Sequence, residues 1–321
     1  MKRTMKHFIR LGSGLAIAFA LLAASGDASA AGSAMEASEL SAKVATDLRA
    51  DIAKARADAP EHFRAVLHVT TRAKQIDEMS RMRGAPFTLQ FKSMGNKALM
   101  PMLEQLAFDS KAARDLPETA ASALKLGMIE AVGIIRDARS IPVMARLLER
   151  DVANMAVQRA ATEALARLGT DDALHVISDA LTKAQKANPG GSALERTLLS
   201  GMHDCRREAA ARVLANRIDA KPDADTAKVI ARSLGGVGNA WAWKTIAQTE
   251  MGATRALAAQ KLVEIFVSYS GDVREQAAKS LLIVDDASTS SLIAKAKRGA
   301  SQDNIRALDD LDKLFANNPT R

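Results

Sequence analysis

Leu40, Val44, Leu48 and Ile52 recur every four positions among charged residues, which predicts one amphipathic helix from Ala34 to about Ala59. Phe63, Val66, Leu67, Ile76, Met79 and Met82 predict a second from Glu61 to Arg83, closed by Gly84-Ala85-Pro86. Between Pro86 and Gly95 the pattern is ambiguous and predicts no element. The helical period returns over 96–108, 117–135, 139–150, 153–168, 171–187, 203–217, 223–235, 239–248, 252–268, 271–284, 287–298 and 301–316. No segment alternates with period two for long enough to predict a strand, so the expected class is all-α.

The breaks carry stop and start chemistry. Gly169-Thr170-Asp171-Asp172 reads as a left-handed stop followed by an acidic N-cap, and Gly238-Asn239 reads the same way. Asp137, Asp272 and Asp286 stand at other starts, where a carboxylate can accept from unpaired backbone N–H groups. Pro142 falls in a first turn, where its missing donor costs nothing. Asn188-Pro189-Gly190-Gly191-Ser192 reads as an inserted loop.

Five windows of nine residues align without gaps and end in leucine: VQRAATEAL at Leu165, RREAAARVL at Leu214, TAKVIARSL at Leu234, TRALAAQKL at Leu262 and VREQAAKSL at Leu281. Leu165, Leu214 and Leu262 are separated by 49 and 48 residues, and Leu234 and Leu281 by 47. Leu181 precedes Leu234 by 53, about one period plus the five-residue loop. A competing register places Glu130-Ala131-Val132 over Glu163-Ala164-Leu165, 33 residues on. Either register describes a repeating helix pair, a unit that hides its second apolar stripe only against a neighbouring copy.

Composition agrees with many closely packed helices. Nearly half the residues (48%) are hydrophobic but only 3% are aromatic. Alanine dominates the windows; it is the best helix former and lets helices approach closely. A single cysteine, Cys205, excludes an internal disulfide.

The N-terminus changes the picture of charge and compartment. Lys2, Arg3, Lys6 and Arg10 precede an apolar run from Leu15 to Ala24 and a small-residue Ala28-Ser29-Ala30 site. This is the build of a secretory signal peptide cleaved after Ala30, and the run is too short to cross a bilayer. Residues 1–30 hold four of the 45 basic residues and one of the 37 acids, so removing them leaves 41 and 36, and the formal charge falls from +8 to +5. The expected location is periplasmic or secreted, with no membrane span after cleavage.

In these windows the chain resembles HEAT-repeat proteins, in particular the short, alanine-rich bacterial type also called HEAT-like repeats of the phycobilisome-lyase class. Their second helix opens with an acid at the turn, then Val-Arg, Ala-Ala and Leu, which Asp272-Val273-Arg274, Ala277, Ala278 and Leu281 match. Arg207 and Arg255 share the column of Arg274, whereas Gln158 and Ala227 depart from it. The resemblance is good over about 117–298 and weak over 31–116. It implies an α-solenoid, a right-handed superhelix of stacked antiparallel helix pairs over 93–321. Residues 31–92 then form a helical region and candidate end cap. The resemblance also implies that the column arginines brace neighbouring repeats through turn carbonyls and acids.

Candidate chemistry is sparse. His203-Asp204-Cys205 lacks the third and fourth ligands of a zinc site and a base beside the thiol; His62, His68 and His175 lie far off in sequence. An inert Cys205 beside a capping Asp204 is the reading. Asp285-Asp286 and Asp309-Asp310 read as turn and surface charges. Gly235-Gly236-Val237-Gly238 lacks the strand and Lys-Ser of a phosphate loop and reads as a hairpin turn. No catalytic, cofactor or metal site is expected.

Trp241 and Trp243 are the only tryptophans, in one short predicted helix. Both are expected in the core. At i and i+2 they point to different faces, and the alternative sends one to the surface as a binding anchor. The expected function is a scaffold that binds another protein through an extended surface, with Arg207, Arg255, Arg274, Trp241 and Trp243 as candidate binding or bracing residues. One rival is a binder of an anionic polymer, nucleic acid or acidic glycan, through an arginine-lined face, with a steep salt dependence; export argues against nucleic acid. The other, which the family name suggests, is a lyase-like accessory enzyme.

Overall fold

The computed structural model describes residues 39–80, 86–108, 111–244 and 249–318. Among them every regular element is helical and no strand occurs. The helices are α1 (Ala42–Asp58), α2 (Pro60–Thr71), α3 (Ala73–Ser80), α4 (Phe87–Ser93), α5 (Leu99–Ala107), α6 (Lys111–Arg114), α7 (Glu118–Ile135), α8 (Ile141–Arg150) and α9 (Met155–Leu168). After them come α10 (Asp171–Ala187), α11 (Ala193–Gly201), α12 (Glu208–Asp219), α13 (Ala224–Val237), α14 (Ala240–Trp243), α15 (Met251–Ser268), α16 (Gly271–Val284), α17 (Thr289–Lys297) and α18 (Gln302–Ala316).

Several expected helices differ in extent: the first, expected from Ala34, starts only at Ala42 behind Ser41, whose Oγ accepts from Val44 N, and the one expected over 239–248 gives the short α14. The stretch begun at Glu61 breaks at Arg72 into α2 and α3; its expected end at Arg83 and the closing Gly84-Ala85 lie outside the described residues, and Pro86 directly precedes α4. Phe63 and Val66 enter the core, but Leu67 and Met79 stay exposed. Residues 203–217 were expected as one helix, yet Met202–Asp204 is a single 3-10 turn and α12 starts only at Glu208. The helix ahead of it, α11, was not expected, although Ser192 caps its start. Residues 87–93, of no clear period, form α4, whose Phe87 and Phe91 are fully buried.

Capping chemistry explains the boundaries. Gly169 is left-handed (φ 64°), but the capping side chain after it is Thr170, which accepts from Ala173 N at 3.3 Å; Asp171 and Asp172 occupy the first turn. Gly238 is not left-handed (φ −86°), while Asn239 caps α14 through Trp241 N and Ala242 N. Asp272 does not cap; it lies in the first turn of α16 and meets Lys228 Nζ at 2.8 Å.

Helices pack in a regular order. One series runs α4 on α7, α7 on α9, α9 on α11, α11 on α13, α13 on α16 and α16 on α18. The other runs α5 on α8, α8 on α10, α10 on α12, α12 on α15 and α15 on α17. The windows at Leu165, Leu234 and Leu281 therefore lie in the first series and those at Leu214 and Leu262 in the second. Leu165 is thus separated from Leu214 and Leu262, and Leu181 from Leu234 and Leu281, because α11 intervenes between α10 and α12. The 33-residue spacing joins α7 to α9, two helices that pack on each other. The 47-residue spacing joins α13 to α16, which also pack on each other, with α14 and α15 between them in the chain.

Small residues set the spacing within the first series. Gly133 of α7 faces Ala164 of α9, Gly201 of α11 faces Thr162 of α9, and Gly235 of α13 faces Ser280 of α16. Gly235 and Gly236 therefore sit inside a helix, contrary to the hairpin turn expected there. One buried apolar cluster, in which alanine recurs throughout, extends from Leu40 to Leu311.

Candidate interaction surface and the arginine column

The three column arginines all reach from one helix to the turn of another. Arg207 precedes α12 and donates through Nη1 to Gly169 O (2.6 Å), through Nη2 to Asp171 Oδ1 (2.9 Å) and through Nε to Glu250 Oε1 (2.9 Å). Glu250 also accepts from Glu208 N at 2.7 Å, so the starts of α10, α12 and α15 meet at one guanidinium. Burial works against the charge of Arg207, but Glu250 and Asp171 outweigh it and hold the group above its usual value.

Arg255 of α15 donates to Val284 O at 3.1 Å and to Asp285 O, where the chain turns left-handed after α16. Arg274 of α16 donates to Phe266 O (2.9 Å), Tyr269 O (3.1 Å) and Asn304 Oδ1 (2.7 Å), joining α15, α16 and α18. Its guanidinium also stacks over Phe266 at 5.3 Å. Arg274→Ala is expected to cost about 1–3 kcal/mol, the scale of charge-assisted hydrogen bonds to partly buried acceptors. A melting curve that matches the parent would remove the bracing role.

The tryptophans separate. Trp243 is 1% exposed and donates from Nε1 to Val237 O at 2.8 Å, the last carbonyl of α13. Trp241 is 61% exposed, with Lys244 Nζ 3.5 Å from its ring centroid. The expectation that both pack in the core is thus wrong for Trp241. The cause is the two-residue spacing: Asn239 caps a turn too short to bury both rings.

His203 Nε2 lies 3.5 Å from Asp204 Oδ1, yet with Cys205 they make no metal-ligating group among the described residues. His203 Nδ1 lies 2.8 Å from Ser200 O, and Asp204 accepts from Arg167 Nε at 2.8 Å. Burial opposes the ionisation of Asp204, but the charges of His203, Arg167 and Arg206 outweigh it and keep the carboxyl below the usual carboxylate range. Cys205 is fully buried, and that burial pushes its thiol up to about 12 against the pull of Arg207 and Arg206. A thiol-disulfide reagent at pH 8 is expected to leave the native chain unlabelled for hours and to label it at once in guanidinium. Fast labelling of the native chain would contradict this burial. Among the described residues no three His, Cys, Asp or Glu side chains gather as a metal set, and no helix is long and apolar enough to cross a membrane.

Sequence reading missed one polar centre. Glu195 of α11 is fully buried and accepts from Gln185 Nε2 (3.0 Å), Arg217 Nη2 (3.3 Å) and Arg217 Nε, joining the ends of α10 and α12 to the start of α11. The signal was present: Ser192-x-x-Glu195 has capping-box spacing ahead of Leu194, Leu198 and Leu199, and Ser192 Oγ accepts from Glu195 N at 3.0 Å. No protein-family model matches the sequence, and no curated protein matches it.

Proposed function

We propose that the chain is an exported α-solenoid of HEAT-like repeats, periplasmic or secreted after cleavage behind Ala30, and that it works as a non-catalytic scaffold for another protein. The observation that carries this reading is the order of packing: within each series a helix meets the one before it and the one after it. A chain built that way gains surface with each added pair and buries little of it again, which suits recognition spread over many modest contacts. The column arginines support the reading as braces between neighbouring pairs. Their donors already serve Gly169, Asp171, Glu250, Val284, Asp285, Phe266, Tyr269 and Asn304, and are not arrayed as an open face for an anionic polymer. Trp241 is the aromatic anchor such a surface would use, since exposed tryptophan is enriched among interface hot spots.

The test is cross-linking in the native compartment with the parent and with Trp241→Ala, followed by identification of the attached species. The expected result is one protein partner recovered in stoichiometric amount with the parent and in much smaller amount with the variant. Recovery of nucleic acid or glycan, or of no attached species, would overturn the scaffold reading. N-terminal sequencing of the exported chain is expected to begin at Ala31.

A further inference from the structure

Along the first series the late turns of successive helices meet. Gly133 of α7 lies against Ala164 of α9, Gly201 of α11 against Thr162 of α9, and Ser233 of α13 donates through Oγ to Leu199 O of α11 at 2.9 Å. The C-terminal ends of these helices therefore emerge along one edge, and arginines gather there. Arg136 caps α7, Arg167 stands in the last turn of α9, and Arg206 follows the 3-10 turn behind α11. Gly133 and Ala164 stand three residues ahead of Arg136 and Arg167 respectively, so these two side chains leave neighbouring helices at one level.

The acids along this edge are already engaged. Asp204 accepts from Arg167 Nε at 2.8 Å, and Arg206 Nη2 lies 3.6 Å from its other oxygen. Glu163 is shared between Arg159 at 2.8 Å and Arg167 at 3.5 Å. Asp137, next to Arg136 in the chain, is held by Arg139 at 2.7 Å. Arg136 is exposed, and no carboxylate pairs with it among the described residues. Burial, with Arg136 and Arg167 adding to it, holds Arg206 below its usual value against the pull of Asp204. Positive charge is thus in excess, and an anion laid on the edge relieves the crowding.

Arg136 is also left-handed (φ 59°), in a place that Gly169 fills at the end of α9. A side chain in that conformation costs at least as much as the helix dipole returns to a cation there, so local stability does not account for the arginine. What it supplies is an exposed guanidinium with its donors unengaged. Packed helices such as α7 and α9 stand about 8–10 Å apart, and an extended chain advances about 3.3 Å per residue. Acidic side chains two or three residues apart on such a chain reach Arg136 and Arg167 together. Asp204 and Glu163 repel a polymer charged at every unit, whereas a peptide can set neutral residues over them. Past His203, which meets Gly236 of α13, the edge leads on to the exposed Trp241.

We propose that this edge receives an extended acidic segment of the partner protein, two of whose carboxylates meet Arg136 and Arg167. Arg167 is 21% exposed and Arg206 13%, so Arg206 adds its charge from behind. The proposal rests on the scaffold reading and gives the chemistry of one stretch of that partner.

The probe is a phage-displayed library of random linear peptides, selected on the full chain. Selected peptides are expected to share two Asp or Glu residues two or three positions apart. Arg136→Gly, which suits the left-handed backbone and should fold like the parent, is expected to weaken their binding about fivefold or more. Arg136→Glu should abolish it. Lys279→Glu makes the same change of charge on an exposed side chain of α16, three helices along the series from α9, and should leave binding within about twofold. Peptides enriched without acidic residues, or binding that Arg136→Glu leaves intact or Lys279→Glu weakens equally, would overturn the proposal. Binding of a heparin hexasaccharide that Arg136→Glu abolishes, with no acidic peptide enriched, would overturn it in favour of an anionic glycan. If the cross-linked protein partner is still captured in full by Arg136→Glu, the edge assignment falls while the scaffold reading stands.

Discussion

Replacing Arg217 by methionine is expected to lower stability by about 3–5 kcal/mol, the scale seen when one member of a buried ion pair is removed. Glu195 has no exposed surface and Arg217 is 11% exposed, so the carboxylate left behind keeps Gln185 Nε2 as its remaining hydrogen-bond donor among the described residues. Its charge is then stranded at the junction of α10, α11 and α12. Pairing the change with Glu195→Leu should recover most of the loss, because two well-packed apolar groups replace a buried pair at little net cost. Urea denaturation of the parent, both single variants and the double variant supplies the cycle. A loss below about 1 kcal/mol for Arg217→Met would put the pair in the class of solvated surface bridges and sink the argument.

Gly133→Ala carries the second large effect, and its sign opposes the one expected from helix propensity. In the middle of a helix, alanine is favoured over glycine by about 1 kcal/mol. In α7, however, an added Cβ would lie 2.7 Å from Ala164 Cα and 2.8 Å from Ala164 Cβ. Backbone cannot yield as the end of a flexible side chain can, so α7 and α9 must move apart and the core between them loosens. We expect a net loss of about 1–3 kcal/mol, the usual cost of overpacking. Gly252, in the first turn of α15, has no atom within 4 Å of an added Cβ, so Gly252→Ala should be neutral or gain up to about 1 kcal/mol. Thermal melts of the two variants side by side decide the matter. Equal behaviour would mean that the close approach of α7 to α9 does not govern stability.

These two sites illustrate what was and was not legible beforehand. The Ser192-x-x-Glu195 spacing announced a helix start, but nothing in the order of residues reveals that Arg217, 22 positions on, closes over Glu195. Likewise Gly133 reads as a weak point of a helix until Ala164 is seen against it. Gly235 and Gly236, which resemble a turn in sequence, are the same device, as their contacts with Ser280 and His203 make plain. An apolar cleft between α8, α10 and α11 was invisible for the same reason: Leu148, Val176 and Leu198, which line it, are ordinary stripe residues of three separate helices. The contacts of Arg274 were equally out of reach of short windows: its acceptors Phe266 O and Tyr269 O stand at the end of α15 and Asn304 Oδ1 on α18.

Local order alone determined that this chain is helical, where most helices begin and end, and that alanine stripes would face inward. Periodicity, capping and propensity act over a few residues, so their information is contained in short windows. Tertiary packing decided which leucine window belongs to which series of helices, which tryptophan is covered, and which charges are buried in pairs. Those outcomes depend on distances between residues tens of positions apart, set jointly by every helix length and loop between them. One unrecognised nine-residue helix, Ala193–Gly201, was therefore enough to exchange the two series while leaving nearly every other helix correctly placed.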